Sequence, residues 1–362
     1  MTQFFAARDF TQTHPPIITS SDCEGAGEAF TVSVPSKTTP KESNGLSKTQ
    51  GLFFRSPKYL TVSSQLHLEA LAQSVGDVWT LSPTFRAEKS DTPRHLSEFY
   101  MLEAEMSFVD EMGTVMDLLE DMLRFLTTNL HSTPAALELL SGSEVNIGPR
   151  WEGMMGLSPA RWPRITYGEA VAILKSEEHR FEHKLVWGED LQTEHEKFLA
   201  STVGASTDSR SCSPVFITNY PRDIKAFYMR RSSPTPAGQG GTRHDRQDAA
   251  DLLGTETVDC FDLLVPDLCE IAGGSMREHR LDELLSAMEG RGMVTPSNLR
   301  SGITTNKGLG GDLDWYVDLR RWGSPPHGGF GLGFDRLLGY LAGVQSVRDV
   351  VAFPRWFGRC DC

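Results

Sequence analysis

The sequence predicts an α+β fold in one domain, on three observations. Strand-like stretches and amphipathic helical stretches both occur, and no repeat or long linker divides the 362 residues. The composition is that of an ordinary globular chain, with 39% hydrophobic and 23% charged residues. Neither G-x-x-x-x-G-K-[ST] nor G-x-G-x-x-G is present, so P-loop and dinucleotide-binding designs are set aside.

Met1 to Phe10 read as the end of a helix without a capping residue ahead of it, stopped by Pro15-Pro16, with Ile17-Ile18 opening an extended segment. Residues 35–50 are a polar loop. Leu60–Leu71 and Trp79–Arg86 frame a charged run, and Glu98–Asp110, rich in Phe, Tyr, Met and Val, reads as a buried strand. Thr114–Leu130 places Val115, Leu118, Leu119, Met122, Leu123 and Leu126 at helical spacing. A helix opens at Tyr167, where Thr166 precedes Glu169 by three positions as in a capping box. Val215–Met229 and Val258–Leu264 are expected strands, joined through a Gly/Ser/Pro-rich surface insert over 231–257. Leu281–Gly290 is helical, and a last helix runs from Gly333 to Ala342.

The net charge of −13 argues against a general nucleic-acid coat but allows a local basic groove. The six cysteines form no Cys-x-x-Cys pair, which fits neither a zinc site nor a disulfide framework. No apolar run reaches membrane-spanning length, so no membrane partner is expected. The first residues carry no targeting signal, so the segment is absent or lies upstream of Met1.

The chemistry concentrates in two runs, 82–99 and 329–336. Arg86 and Glu88, two apart on a strand, share a face. Alone they are a surface ion pair. With Arg94 and His95 in the following turn and Phe99 on the returning strand, they make a cradle for a triphosphate. Arg86 would take the α-phosphate, Arg94 and His95 the γ-phosphate, and Phe99 the base. The run Gly329–Arg336 reads G-x-G-x-G-x-D-R, either a glycine turn for close helix packing or a site in which Arg336 covers the second face of the base. Asp262 and Glu270 bracket a strand end. They are solvated acids or, beside a triphosphate, Mg²⁺ ligands.

Blocks in a fixed order carry a resemblance over almost the whole chain: 15–30, 59–71, 82–110, 219–229, 270–284, 318–340 and 347–355. They resemble class II aminoacyl-tRNA synthetases of the aspartyl/asparaginyl branch, the organellar asparaginyl type in particular. The resemblance implies an antiparallel sheet flanked by helices, with the family's three motifs at 1–30, 82–110 and 328–342. It implies an ATP site of Arg86, Glu88, Arg94, His95, Leu96, Phe99, Glu270, Gly331, Gly333 and Arg336, with Arg86, Glu270 and Arg336 catalytic and Mg²⁺ on Asp262 and Glu270. Glu24 and Gln65 would hold the substrate's α-ammonium group. The aspartate enzymes place a lysine where this chain has Leu68, and a shorter acid where it has Glu103. Glu103 accepting from an amide NH₂ and Arg277 donating to its carbonyl oxygen suit asparagine. The implied reaction is adenylation of asparagine followed by transfer to the acceptor end of tRNA(Asn), by a homodimer, with the mitochondrial matrix as the implied compartment. The upstream anticodon-reading barrel of the family has no counterpart within these residues, and only the last turns of its interface helix precede Pro15. Ser82 and Lys89 replace the usual glycine and asparagine, and WFGRCDC (356–362) is unusual. A tRNA-independent adenylating paralogue and an inactive binding protein are the alternatives.

Overall fold

A computed structural model describes residues 1–20, 29–34, 53–54, 56–142, 145–156, 160–206, 211–233, 256–294 and 313–361. The expected polar loop 35–50 and most of the 231–257 insert lie outside the described residues. The ends of that insert are pinned, with Arg231 bridging Val258 and Ser232 N–H donating to the Thr257 carbonyl (3.0 Å).

Eleven short and long strands are described: β1 (Thr11–Gln12), β2 (Ile18–Thr19), β3 (Thr31–Val32), β4 (Lys58–Leu60), β5 (Val78–Phe85), β6 (Glu98–Ser107), β7 (Arg164–Thr166), β8 (Val215–Thr218), β9 (Cys260–Val265), β10 (Cys269–Met276) and β11 (His327–Gly333). The central sheet runs β1-β5-β6-β11-β10-β9-β8-β7, and β2-β4-β3 form a small second sheet. The expected antiparallel sheet is corrected in one respect: its middle is antiparallel, but both edge pairs, β1/β5 and β7/β8, are parallel. The expected strand 215–229 is shorter, ending at Thr218. Asn219 takes φ +58° and Arg222–Ile224 form a 3-10 turn.

Strand alternation splits the sheet into a core face and a site face. Leu102, Ala104, Phe330 and Leu332 point to the core and pack with helix α3 (Met112–His131) and Trp151 of α5 (Gly148–Met155). Their neighbours Glu103, Glu105, Gly329 and Gly331 consequently occupy the other face. A β-bulge in β10 between Glu270 and Ala272 shifts the alternation by one, which brings Glu270, Gly273, Ser275 and Arg277 to that face too. A second core under β7–β9 is closed by α6 (Tyr167–Ser176) and α7 (Thr193–Val203). The Thr166/Glu169 capping box forms as the sequence predicts.

The site face is covered at one end by α2 (Gln65–Val75) and α9 (Asp314–Arg321). Helix α4 (Pro134–Gly142) follows α3, α8 (Leu281–Gly290) packs against α9, and α10 (Phe334–Ala342) leaves directly from β11. Among the described residues, no helix is long and apolar enough to cross a membrane.

Candidate active site

Two adjoining cavities lie on the site face, and Arg86, Met101, Glu270 and Gly331 line both. The first adds Glu88, Arg94, His95, Leu96, Phe99, Gly333 and Arg336, so every described residue expected around ATP meets in one place. The second, of about 320 Å³, adds Gln65, Leu68, Glu103 and Arg277, expected around the amino acid, and Asp262, expected on Mg²⁺. Glu24 lies outside the described residues.

In the first cavity, the expectation that Arg86 and Glu88 share a strand is corrected. Strand β5 ends at Phe85, and the two residues open the following loop as an ion pair at 3.8 Å. The Arg86 guanidinium also lies 5.7 Å from the Phe99 ring centre, so both hold that face of the cavity. His95 Nε2 sits 3.2 Å from Glu88 Oε2. Burial nevertheless keeps the imidazole below its ordinary pKa, which favours the uncharged ring. Arg94 Nη2 donates to Thr193 Oγ1 at 2.6 Å, and Arg336 Nη1 donates to the Glu270 carbonyl at 2.9 Å. Asp335 anchors the start of β6 by accepting from Tyr100 N–H (2.8 Å). The 329–333 run is not a turn but strand β11 itself. Its glycines keep the floor low: a Cβ on Gly329 would overlap the Glu105 carboxylate and the Ala104 carbonyl.

In the second cavity, Glu103 is set by Ser63 Oγ and by Ser64 N–H at 2.9 and 3.0 Å. Arg277 is 3% exposed. Its Nε and Nη2 donate to Glu105 (3.1 and 2.9 Å) and its Nη1 to Ser275 Oγ (2.6 Å). Burial opposes the Arg277 charge, but the Glu105 carboxylate outweighs it and holds the guanidinium's pKa above its usual value. A guanidinium has five N–H groups, so donors remain for a ligand. Leu68 is 1% exposed, leaving an apolar wall where a cation would suit a carboxylate ligand.

Asp262 and Glu270 do converge. A Cβ on Gly273 would lie 3.2 Å from Asp262 Oδ1 and 3.4 Å from Glu270 Oε1. Burial, and then the Asp262 carboxylate, push Glu270 above the ordinary carboxylate range, a charge deficit that a divalent cation relieves. Lys225 Nζ already takes part of that role, 2.7 Å from Asp262 Oδ2. Among the described residues, no group of three or more His, Cys, Asp or Glu side chains is arranged to hold a metal by itself. Two carboxylates completed by phosphate oxygens still fit Mg²⁺.

Sequence reasoning missed the supports. Glu105 carries Arg277. Glu69, fully buried in α2, accepts from Gln65 Nε2 (3.1 Å), Arg320 Nη2 (2.6 Å), Tyr316 Oη (2.8 Å) and His327 (3.1 Å). Lys225, a cation within the 219–229 stretch, was in reach, but the others are pairings between distant strands and helices.

The model of the family described as tRNA synthetases class II (D, K and N) matches residues 1–357. The mitochondrial asparagine–tRNA ligase of Saccharomyces cerevisiae is 43% identical, covering 97% of this chain and 65% of its own length. The asparagine–tRNA ligase of Geobacter sulfurreducens is 42% identical, covering 98% of this chain and 67% of its own. Among solved structures, asparaginyl-tRNA synthetase of Pyrococcus horikoshii complexed with asparaginyl-adenylate matches with a TM-score of 0.74 at 29% identity, over 99% of this chain and 66% of that one. The chain thus spans about two thirds of the length of these relatives. On the fold, the two joined cavities and the family match together, this chain belongs to the class II tRNA synthetases of the D, K and N group.

Proposed function

We propose that this chain is the catalytic part of an asparagine–tRNA ligase, activating asparagine with ATP and passing it to the acceptor end of tRNA(Asn). The observation that carries the reading is that the phosphate cavity and the amino-acid cavity meet at Arg86 and Glu270. A substrate carboxylate and an α-phosphate would meet there.

The amide of asparagine would give an N–H to Glu103 and accept from Arg277, while Gln65 receives the α-ammonium end. Leu68 leaves a buried carboxylate side chain uncompensated, which disfavours aspartate. The carboxylate oxygen attacks the α-phosphorus in line; the new P–O bond forms as the bond to pyrophosphate breaks. Arg86 lies where charge would develop on the α-phosphate, and Arg94 and His95 would hold the far phosphates. Phe99 and Arg336 would sandwich the base. Mg²⁺ on Glu270 and Asp262 would offset phosphate charge. No protein nucleophile is needed, because positioning and electrostatics supply the catalysis. In the second step, the 3′-terminal ribose hydroxyl of tRNA attacks the adenylate carbonyl; the ester C–O bond forms as the C–O bond to AMP breaks, and the hydroxyl proton leaves with the AMP phosphate or to water. The mitochondrial matrix and a homodimer are the setting suggested by the fungal relative and the family resemblance.

The test is exchange of labelled pyrophosphate into ATP without tRNA, asparagine against aspartate. Asparagine-dependent exchange with at least about 100-fold preference over aspartate is expected. Equal rates, or none with asparagine, would overturn the assignment.

A further inference from the structure

The loop between β5 and β6 carries Arg94 and His95 but has no strand partner, and its own backbone bonds are few. His95 N–H reaches the Thr92 carbonyl (3.2 Å), and Arg86 N–H the Ser97 carbonyl (3.1 Å). Beyond the loop, Arg94 is held by Thr193 on α7, and a further set of fastenings comes from the segment after α10. Val347 N–H donates to the Pro93 carbonyl (3.0 Å). Arg348 Nη2 donates to both Asp91 Oδ1 (2.8 Å) and the Thr92 carbonyl (3.0 Å). At the far end of the loop, Ser97 N–H donates to the Arg355 carbonyl (2.7 Å), and Arg355 Nε lies 3.4 Å from Glu98 Oε2.

Arg348 is itself held. Its guanidinium carbon lies 4.2 Å from the Trp356 ring centre, and Arg359 covers the same ring at 5.1 Å. Trp356 and Arg359 exchange two backbone hydrogen bonds (3.0 and 2.9 Å), so the ring sits on a closed turn. The residues WFGR, odd in the sequence, therefore form the seat of one arginine.

We propose that Arg348, seated on Trp356, is a positioning residue for the phosphate end of the site: it fixes Asp91–Pro93 and through them Arg94 and His95. It touches no expected ligand position; it acts through the loop. A loop ordered before ATP arrives spares the ligand the cost of ordering it, so losing the brace weakens ATP binding. The described residues that line the amino-acid cavity include none from this segment, so asparagine binding should not respond.

The inference rests on the proposed role of the loop in phosphate binding. Its test reads ATP affinity by calorimetry without asparagine, together with the KM of each substrate in pyrophosphate exchange. Arg348→Ala should raise the ATP Kd and KM about tenfold and leave the asparagine KM within about twofold. Trp356→Ala should raise the ATP Kd about threefold, and Trp356→Phe, which keeps a ring face, should restore it. Folded Arg348→Ala with unchanged ATP affinity, or with both KM values raised together, would overturn the proposal. If that variant does not fold, Asp91→Ala removes the loop's side-chain partner at an exposed position. It should raise the ATP Kd about threefold, and an unchanged value would count against the brace. A wild-type chain that binds ATP without asparagine-dependent exchange would defeat the adenylation reading alone, leaving the brace to be judged on Kd. A chain that binds no ATP would overturn both.

Discussion

At the phosphate end of the cleft, Arg86 and Glu88 keep 31% and 32% of their side-chain surface exposed, whereas at the amino-acid end Arg277 and Glu105 keep 4% and 1%. Behind that pair, Glu69 and Arg320 are wholly enclosed. The proposed phosphate end relies on partly exposed arginines, Arg86 and Arg94 on the loop and Arg336 on α10, a surface that a highly charged ligand would complete. The amino-acid end is fixed beforehand by desolvated ion pairs whose geometry cannot relax without leaving a charge unpaired. A triphosphate brings its own charge and tolerates adjustment. On the proposed function, a neutral amide must be distinguished from a carboxylate of the same shape, and this demands a rigid frame.

The contrast predicts that variants will separate into those that unfold the protein and those that only silence it. Glu69→Leu strands Arg320 and His327 in the interior and should cost about 3–5 kcal/mol in urea unfolding. Burial opposes the Glu69 carboxylate, but Arg320 and His327 outweigh it and hold its pKa well below the ordinary range. A depressed carboxylate contributes stability above its unfolded value and loses it as pH falls through the folded one. The penalty of Glu69→Leu should therefore shrink in acid.

Arg86→Ala, next in size, should lower pyrophosphate exchange about 100-fold or more, equivalent to roughly 3 kcal/mol of transition-state stabilisation, with Tm moved by no more than about 1 °C. A large loss of stability there would erase the distinction between the two ends.

Gly329→Ala tests the floor. Its Cβ collides with the Glu105 carboxylate, so it should cost about 1–3 kcal/mol and raise the asparagine KM while sparing that of ATP. Parallel changes in both KM values would show that the ends are not separable.

The smallest effect is expected at Glu196 on α7. Burial, and then Glu270 and Asp262, push its pKa up to about 7. A raised carboxylate favours the folded state at low pH, and that stability is lost as pH rises from the unfolded value through about 7. Glu196→Gln should be more stable than wild type at pH 8, by about 1 kcal/mol or about 2 °C after allowance for its partial exposure, and equal to it at low pH.

The same contrast explains what was legible in the sequence. The phosphate end was readable because Arg86, Glu88, Arg94, His95 and Phe99 lie within one short run. Local order alone brings them together. The pair Glu105–Arg277 joins positions 172 apart and Glu69–Arg320 positions 251 apart, so only the strand order and the α2–α9 packing reveal them. The β10 bulge had the same effect. Simple alternation from Glu270 would send Arg277 to the opposite face, and one extra residue returns it to the site. The glycines of 329–333 were seen, but their reason was not: they clear space for Glu105, a neighbour only through the β6/β11 pairing. The parallel strands at the sheet edges left no local pattern because each is only two or three residues long.

The most direct test of the account is to incubate the chain with ATP, Mg²⁺ and an equal mixture of asparagine and aspartate, and to identify the enzyme-retained adenylate by mass spectrometry. The account predicts asparaginyl-adenylate nearly alone. Aspartyl-adenylate in comparable amount, or no adenylate at all, would contradict it.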